Sequence, residues 1–495
     1  MPWLALPEEL ILNSLNYLEI RDLLALQLTC RKLRTAIVAS VELQCRLELA
    51  ACGLCEGQAS RTVPAADRLR RIQAHDAAWR ELPWTEVLQT EHPVSNLSIT
   101  VSDNVVVWRD IDDPQTLLVK QVPSALRGIE ARDWELHIDC PVDQLVLDAS
   151  QDLMIVGSAM AALTDYTYAS VRSLSKGGVH PECSWSGRIS FPGLMFGVTK
   201  LCGDRAGTTL YNPENGHTSL FMWNWKTGVQ LVNSMLPLTS VPPLALPRIT
   251  FVDPMHILAI SDEQDSAPEA PTQLSLHLYD LSRAGTDLEL TDALVGSYAL
   301  PTFTPHGQWQ PYFLDNYSSY PTSSSSERGI FSPDRSRKLI GVGVHSDSIH
   351  RLFVFANDIF LRNERRAGAT VPWDLWGSSG VRCASASPSR WRSLVIHGMR
   401  TVEYDSEEMA LIVSDYDPRR VRRAITARDN SERGLVSIRG DVIFEEEADT
   451  SYGSVKTSFP RLVNKKQREL TMGGLHRAYL CDDCSLLIEG RPRGL

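Results

Sequence analysis

No stretch of this 495-residue chain approaches the ~18 consecutive apolar residues that a membrane-crossing helix needs. The N-terminus also lacks a basic segment followed by an apolar run and a small-residue cleavage site. The expectation is an intracellular chain, in cytoplasm or nucleus, with no membrane partner. Cysteine is scarce: ten residues at irregular spacing exclude a secreted disulfide scaffold and make free thiols the default. Positive charge is in deficit, with 49 Lys and Arg against 60 Asp and Glu, a net −11. That balance argues against a nucleic-acid partner, because gripping phosphate backbones requires clustered cations.

Enzyme signatures are missing as well. There is no His-Glu-x-x-His helix, no Gly-x-Ser-x-Gly elbow and no Gly-x-x-x-x-Gly-Lys-Ser/Thr loop, so no catalytic residue and no cofactor are expected. Cys52-x-x-Cys55 and Cys481-x-x-Cys484 have the arithmetic of a four-cysteine zinc site but lie at opposite ends of the chain, and no metal is expected. What the chain does have is ordinary globular composition, 43% hydrophobic and 22% charged. Its length exceeds what one hydrophobic core fills, so two units or one modular unit are implied.

From Leu4 to about Ile37 the apolar pattern is helical. Pro7 suits a first helical turn, where its missing N–H has no partner, and Glu8 and Glu9 complement the positive end of the helix dipole. Leu10, Ile11, Leu15 and Leu18 then gather on one stripe. A second short helix carries Asp22, Leu23, Leu24 and Leu26, and a third runs through Arg31, Leu33 and Ile37. Helices this short leave leucines for a partner.

These residues, Leu6-Pro7-Glu8-Glu9-Leu10-Ile11, Leu15, Leu18, Asp22-Leu23-Leu24-Ala25-Leu26 and Cys30-Arg31-Lys32-Leu33, resemble the F-box. Departures are Glu19 where Asp is common and Leu33 where Trp or Phe is frequent. The resemblance implies that Leu6, Pro7, Leu10, Ile11, Leu15, Leu18, Leu23 and Leu26 bind a Skp-type adaptor, and through it a cullin. An ordinary helical hairpin packed on the rest of the chain is the plain alternative.

A further helix is expected from Asp67, with Leu69, Ile72, Trp79 and Leu82 on its apolar face and Arg68, Arg70, Arg71 and Arg80 in water. Trp79 and Trp84 are expected to anchor it as a rigid spacer. The runs Leu47 to Gly57, Ala78 to Leu82, Pro123 to Ile129 and Leu147 to Leu153 are similar to a large group of F-box proteins in mushroom-forming fungi.

Beyond about residue 93, short apolar and β-branched runs alternate with Gly, Pro, Asn and Asp, the signature of an all-β fold. Phe331-Ser332-Pro333-Asp334 before Leu339 resembles the entry to the inner strands of a WD-type blade. Trp223-Asn224-Trp225-Lys226-Thr227-Gly228 resembles the end of a third strand and its hairpin, and Ser275 to Leu281 looks like another such strand. The expected architecture is mainly β: a three-helix F-box over 1–50, a helical connector over 51–92, and a β-propeller of about seven or eight blades over 93–495.

Arg419, Arg420, Arg422, Arg423 and Arg428 concentrate positive charge in an acidic chain. On a loop at one propeller face they would suit capture of a phosphorylated or acidic target; a solvated turn is the plainer reading. The sequence thus points to a non-catalytic substrate receptor of an SCF-type ubiquitin ligase with an unknown protein target. A propeller hydrolase, or an F-box scaffold that delivers no substrate, is the alternative.

Overall fold

The computed structural model describes residues 6–81, 99–109, 113–159, 166–192, 194–236, 248–263, 273–283, 290–302, 310–314, 329–345, 350–362, 370–385, 394–405, 410–432, 441–443, 446–450, 453–457, 461–467, 475–480 and 485–489. Helices open the chain: α1 (Glu8–Leu15), α2 (Ile20–Gln27), α3 (Arg31–Ala39) and α4 (Val41–Ala51). A three-residue strand, β1 (Leu54–Glu56), and the long helix α5 (Ala65–Glu81) follow. Among the described residues no helix is long and apolar enough to cross a membrane.

The rest is mainly β, and its strands assemble into six antiparallel sheets taken from successive chain segments. Blade 1 is β2 (Ile99–Ser102), β3 (Val105–Arg109), β4 (Thr116–Gln121) and β5 (Arg132–His137); blade 2 is β6 (Gln144–Asp148), β7 (Leu153–Ala159), β8 (Tyr166–Ser173) and β9 (Arg188–Pro192). In blade 3, β10 (Met195–Phe196) and β11 (Lys200–Cys202) both pair with β12 (Arg205–Asn212), beside β13 (His217–Asn224) and β14 (Gln230–Met235). Blade 4 contains β15 (Ile249–Asp253), β16 (His256–Glu263), β17 (Gln273–Asp280) and β18 (Leu294–Ala299).

Blade 5 is built from β19 (Gln310–Leu314), β21 (Leu339–His345), β22 (His350–Ala356) and β24 (Val381–Ser385). Between its strands lie β20 (Phe331–Pro333), which pairs elsewhere, and β23 (Thr370–Val371), which joins β18 in parallel. Blade 6 comprises β25 (Val395–His397), β26 (Arg400–Asp405) and β27 (Ala410–Asp415), then helix α6 (Pro418–Glu432), then β28 (Asp441–Ile443) and β31 (Arg461–Gln467). Two hairpins remain, β29 (Glu446–Thr450) with β30 (Gly453–Thr457), and β32 (Leu475–Leu480) with β33 (Ser485–Glu489).

Alternation along the strands sends successive side chains to opposite neighbours. Met154 and Val156 pack with Val107 and Val119 of blade 1, while Leu153 and Ile155 pack with Phe221 and Trp223 of blade 3. Leu220 and Met222 meet Phe251 and Ile257 across the next interface, and Leu276 and Leu278 meet Val342, Phe353 and Phe355 across the one after. Leu339, Leu352 and Val354 pack with Ile396 and Tyr416 between blades 5 and 6. Each such buried side chain stabilises the ring by ~1.5–3 kcal/mol relative to exposure. The turn between β2 and β3 is tight: Asp103 takes φ 51°, a left-handed conformation suited to a two-residue hairpin.

Six blades stand where seven or eight were expected. The count fails because the segments between strands are long and carry their own structure, such as α6 and the β29–β30 hairpin, so chain length overstates the number of blades. Trp223–Asn224 does end a third strand, and Ser275 to Asp280 lies in another. Phe331–Pro333 itself pairs with β1 of the connector, and the turn after it leads into β21 of blade 5 at Leu339.

Candidate functional site: the F-box face and its seat

Helices α1 to α4 bury Ile11, Leu15, Leu23, Leu33, Ile37 and Leu43 in a small core of their own. Helix α1 starts on Pro7 with Glu8 and Glu9 in its first turn, as the sequence indicates. Its other end is capped from α4, where Arg46 donates to the carbonyl oxygens of Asn16 at 2.8 Å and Leu18 at 2.7 Å. A guanidinium there satisfies orphan carbonyls and opposes the negative end of the helix dipole.

The eight residues expected to meet an adaptor divide three ways. Ile11, Leu15 and Leu23 are fully buried among the helices themselves, Leu6, Leu18 and Leu26 are half-buried against that core, and Pro7 and Leu10 are exposed. Leu10 and Ile11 do not share a stripe, because adjacent residues are about 100° apart on a helix. Leu10 is 52% exposed and is joined outside by Tyr17 at 84%, Leu24 at 50% and Leu28 at 90%. Leu10 is on α1 and Leu24 on α2, while Tyr17 lies in the turn after α1 and Leu28 caps the end of α2. Of this outer set sequence reasoning named Leu10 but missed Tyr17, Leu24 and Leu28, since a leucine-rich run does not say which leucines the inner core has already taken.

Below the F-box the chain is stitched into the propeller. Leu54, Cys55 and Glu56 pair with Pro333, Ser332 and Phe331, and the Gly57 amide donates to the Ile330 carbonyl oxygen at 3.0 Å. Cys45, Leu49, Cys52, Leu54 and Ile72 bury against Ile330 and Phe331. Arg68, expected in water, is buried instead, held by Glu42 at 2.7 Å and Glu56 at 2.8 Å. Trp79 anchors α5 as expected, against Val402, Leu411 and Val413. Trp84 lies outside the described residues.

The arginine-rich segment is a helix, α6, and it turns toward this seat. Arg419 donates to the Ala50 carbonyl oxygen and Arg420 to that of Cys52, each at 2.6 Å, while Arg423 meets Glu48 at 2.7 Å. Arg422 is exposed, and the side chain of Arg428 lies outside the described residues. Arg420 also pairs with Asp415 at 2.9 Å and faces Asp76 at 3.6 Å, and Arg400 pairs with Asp415 at 3.0 Å. Burial nevertheless lifts the Asp415 carboxyl to about 6, since desolvation outweighs the lowering effect of the Arg400 guanidinium.

Among the described residues no cluster of three or more His, Cys, Asp or Glu is arranged to hold a metal. Cys52 is buried at the end of α4 and Cys55 is exposed, while Cys481 and Cys484 lie outside the described residues. In blade 4, His277 lies 2.6 Å from the Ser261 hydroxyl and 2.8 Å from that of Ser297; both serines are buried, so the chain of contacts ties strands together.

Residues 3–40 match the F-box domain, so the chain carries an F-box at its N-terminus, followed by a β-propeller-like domain. No curated protein matches. Solved structures similar to the chain include Kluyveromyces lactis Hsv2, at 12% identity over 74% of this chain and 83% of that one with TM-score 0.33. Kuenenia stuttgartiensis hydrazine synthase is 11% identical over 82% of this chain and 98% of that one, with TM-score 0.36. An uncharacterized Listeria monocytogenes protein is 9% identical over 68% and 83%, with TM-score 0.35. At these scores the function has to be read from the chain's own residues.

Proposed function

We propose that this protein is the substrate-recognition subunit of an SCF-type E3 ubiquitin ligase: its F-box binds a Skp-type adaptor and through it a cullin, and its propeller binds a protein target. The observation that carries the reading is the outer apolar set Leu10, Tyr17, Leu24 and Leu28, exposed on helices whose inner leucines already form a core. Exposed apolar clusters on a folded domain mark contact surfaces. The receptor itself does no chemistry; it raises the effective concentration of target beside the charged conjugating enzyme. On this reading it works in the cytoplasm or nucleus and belongs with the F-box proteins of mushroom-forming fungi that its connector and first blades resemble.

The test mixes the full-length protein with purified Skp-type adaptor. The native chain is expected to co-elute with it, and a Leu10→Glu, Leu24→Glu, Leu28→Glu variant to elute alone with an unchanged circular dichroism spectrum. Failure of the native chain to bind the adaptor removes the ligase reading.

A further inference from the structure

Five of the six interfaces in the ring are filled by apolar clusters that draw residues from both flanking blades: 1 with 2, 2 with 3, 3 with 4, 4 with 5, and 5 with 6. Among the described residues no such cluster contains residues of both blade 6 and blade 1. Where that interface falls, the apolar residues separate into two groups. Val402, Leu411 and Val413 of blade 6 pack on Trp79 from α5, and Val101, Val106 and Trp108 of blade 1 form a cluster within their own sheet.

The connector spans this seam. Toward blade 6 it offers Trp79, with the Arg400 guanidinium 4.5 Å from its ring, and the α4 carbonyls held by Arg419 and Arg420. Toward blade 1, Arg71 on α5 donates to the Ala125 carbonyl oxygen at 3.2 Å, and Leu126 packs beside Leu54 and Ile330. Strand β20, paired to β1, reaches blade 1 as well: Arg127 donates to the Phe331 carbonyl oxygen at 2.8 Å, and just beyond the strand Arg335 pairs with Asp103 at 2.6 Å. The C-terminal strand β32 also lies against β25 and β26.

We infer that residues 41–81 are a closing element of the propeller, bridging blades 6 and 1 through their contacts with each, next to the β32–β33 hairpin that lies against blade 6. Propellers ordinarily depend on closure to protect their sheet edges. A ring sealed by the connector has its first and last blades stabilised by the very segment that carries the F-box, so the target-binding domain and the adaptor-binding domain fold as one unit. This goes beyond the ligase reading and does not depend on it.

Hydrogen exchange of the full-length protein tests the inference. Trp79→Ala is expected to accelerate exchange in β2–β4 and β25–β27, at least tenfold, while β12 and β13, on the far side of the ring, keep their protection. Trp79→Phe, which preserves an aromatic plug, is expected to restore most of the protection. Two milder variants, Arg71→Ala and Arg420→Lys, should give the same pattern at lower amplitude, so the comparison survives if Trp79→Ala fails to fold. Faster exchange confined to residues 41–81, with blades 1 and 6 unchanged in all variants, overturns the inference. So does an equal loss in every blade for the two milder variants.

Discussion

Arg420 on α6 and Cys52 at the end of α4 are joined by a 2.6 Å hydrogen bond across 368 residues of sequence. The same guanidinium pairs with buried Asp415, which also takes Arg400. A cation so placed satisfies a helix-end carbonyl and balances a carboxylate at the same time.

Removing Arg420 is costly because Asp415 stays buried with Arg400 as its remaining counter-charge and the Cys52 carbonyl loses its donor. Arg420→Gln is expected to destabilise the protein by ~3 kcal/mol, seen as a lower urea midpoint. Adding Asp415→Asn should recover part of that loss, giving a non-additive double-mutant cycle. Strict additivity would show that the two residues do not communicate.

The raised Asp415 carboxyl, at about 6 in the folded chain against 3.8 ordinarily, sets a pH dependence of unusual sign. Between these values the folded protein holds a proton that the unfolded chain has released. Its contribution to stability is therefore full below pH 3.8 and is lost as pH rises through 6. Two pH units correspond to roughly 3 kcal/mol. Asp415→Asn should flatten the difference in unfolding free energy between pH 7 and pH 5 relative to the native chain; an unchanged slope contradicts the assignment.

Gly57 sits where the connector backbone comes closest to the segment before β20, and a Cβ there would lie 2.0 Å from the Gly329 carbonyl oxygen. Backbone on both sides cannot yield cheaply, so Gly57→Ala is expected to cost about 1–3 kcal/mol through overpacking. Differential scanning calorimetry against Gly216→Ala provides a check. Gly216 has open space but a left-handed φ of 72°, so its variant reports backbone strain alone. A smaller effect at Gly57 than at Gly216 would refute the close approach.

Thiol reactivity should follow burial. The Cys45 thiol is pushed up to about 11 and that of Cys52 further still, each chiefly by desolvation, whereas Cys55 is exposed. Iodoacetamide at pH 8 is expected to label Cys55 within minutes and to reach Cys45 and Cys52 only after denaturation, as read by peptide mass spectrometry. Prompt labelling of Cys52 would mean that α4 leaves its seat in solution.

The parts of this fold that could be read in advance are those whose cause is local. Pro7 and the glutamates after it place the start of α1, and runs such as Val105 to Trp108 become strands because β-branched and aromatic side chains fit a pleated surface. Trp79 also reads as an anchor, being the largest residue on the apolar face of its helix, beside Leu69 and Ile72. The arginines of α6 did not reveal their contacts, since two of them, Arg419 and Arg420, reach main-chain carbonyls, which carry no sequence signature. Phe331–Pro333 misled for a related reason: a short apolar strand looks alike whether its partner lies in the same blade or in a connector two hundred and more residues upstream. The division of the F-box leucines into an inner core and an outer set depends on how three helices lean on one another, which periodicity within each helix leaves open.

The pairing of β1 with β20, and of α4 with α6, has a consequence for biosynthesis. Residues 41–81 leave the ribosome well before the residues around Phe331, Val402 and Arg420 that seat them. At roughly 5–20 residues per second, Leu54, Ile72 and Trp79 wait on the order of tens of seconds before Phe331, Val402 and Arg420 exist to cover them. The nascent chain therefore presents sticky, unfinished surface over that interval, and its yield in a cell should rise and fall with the supply of chaperones that hold such intermediates apart.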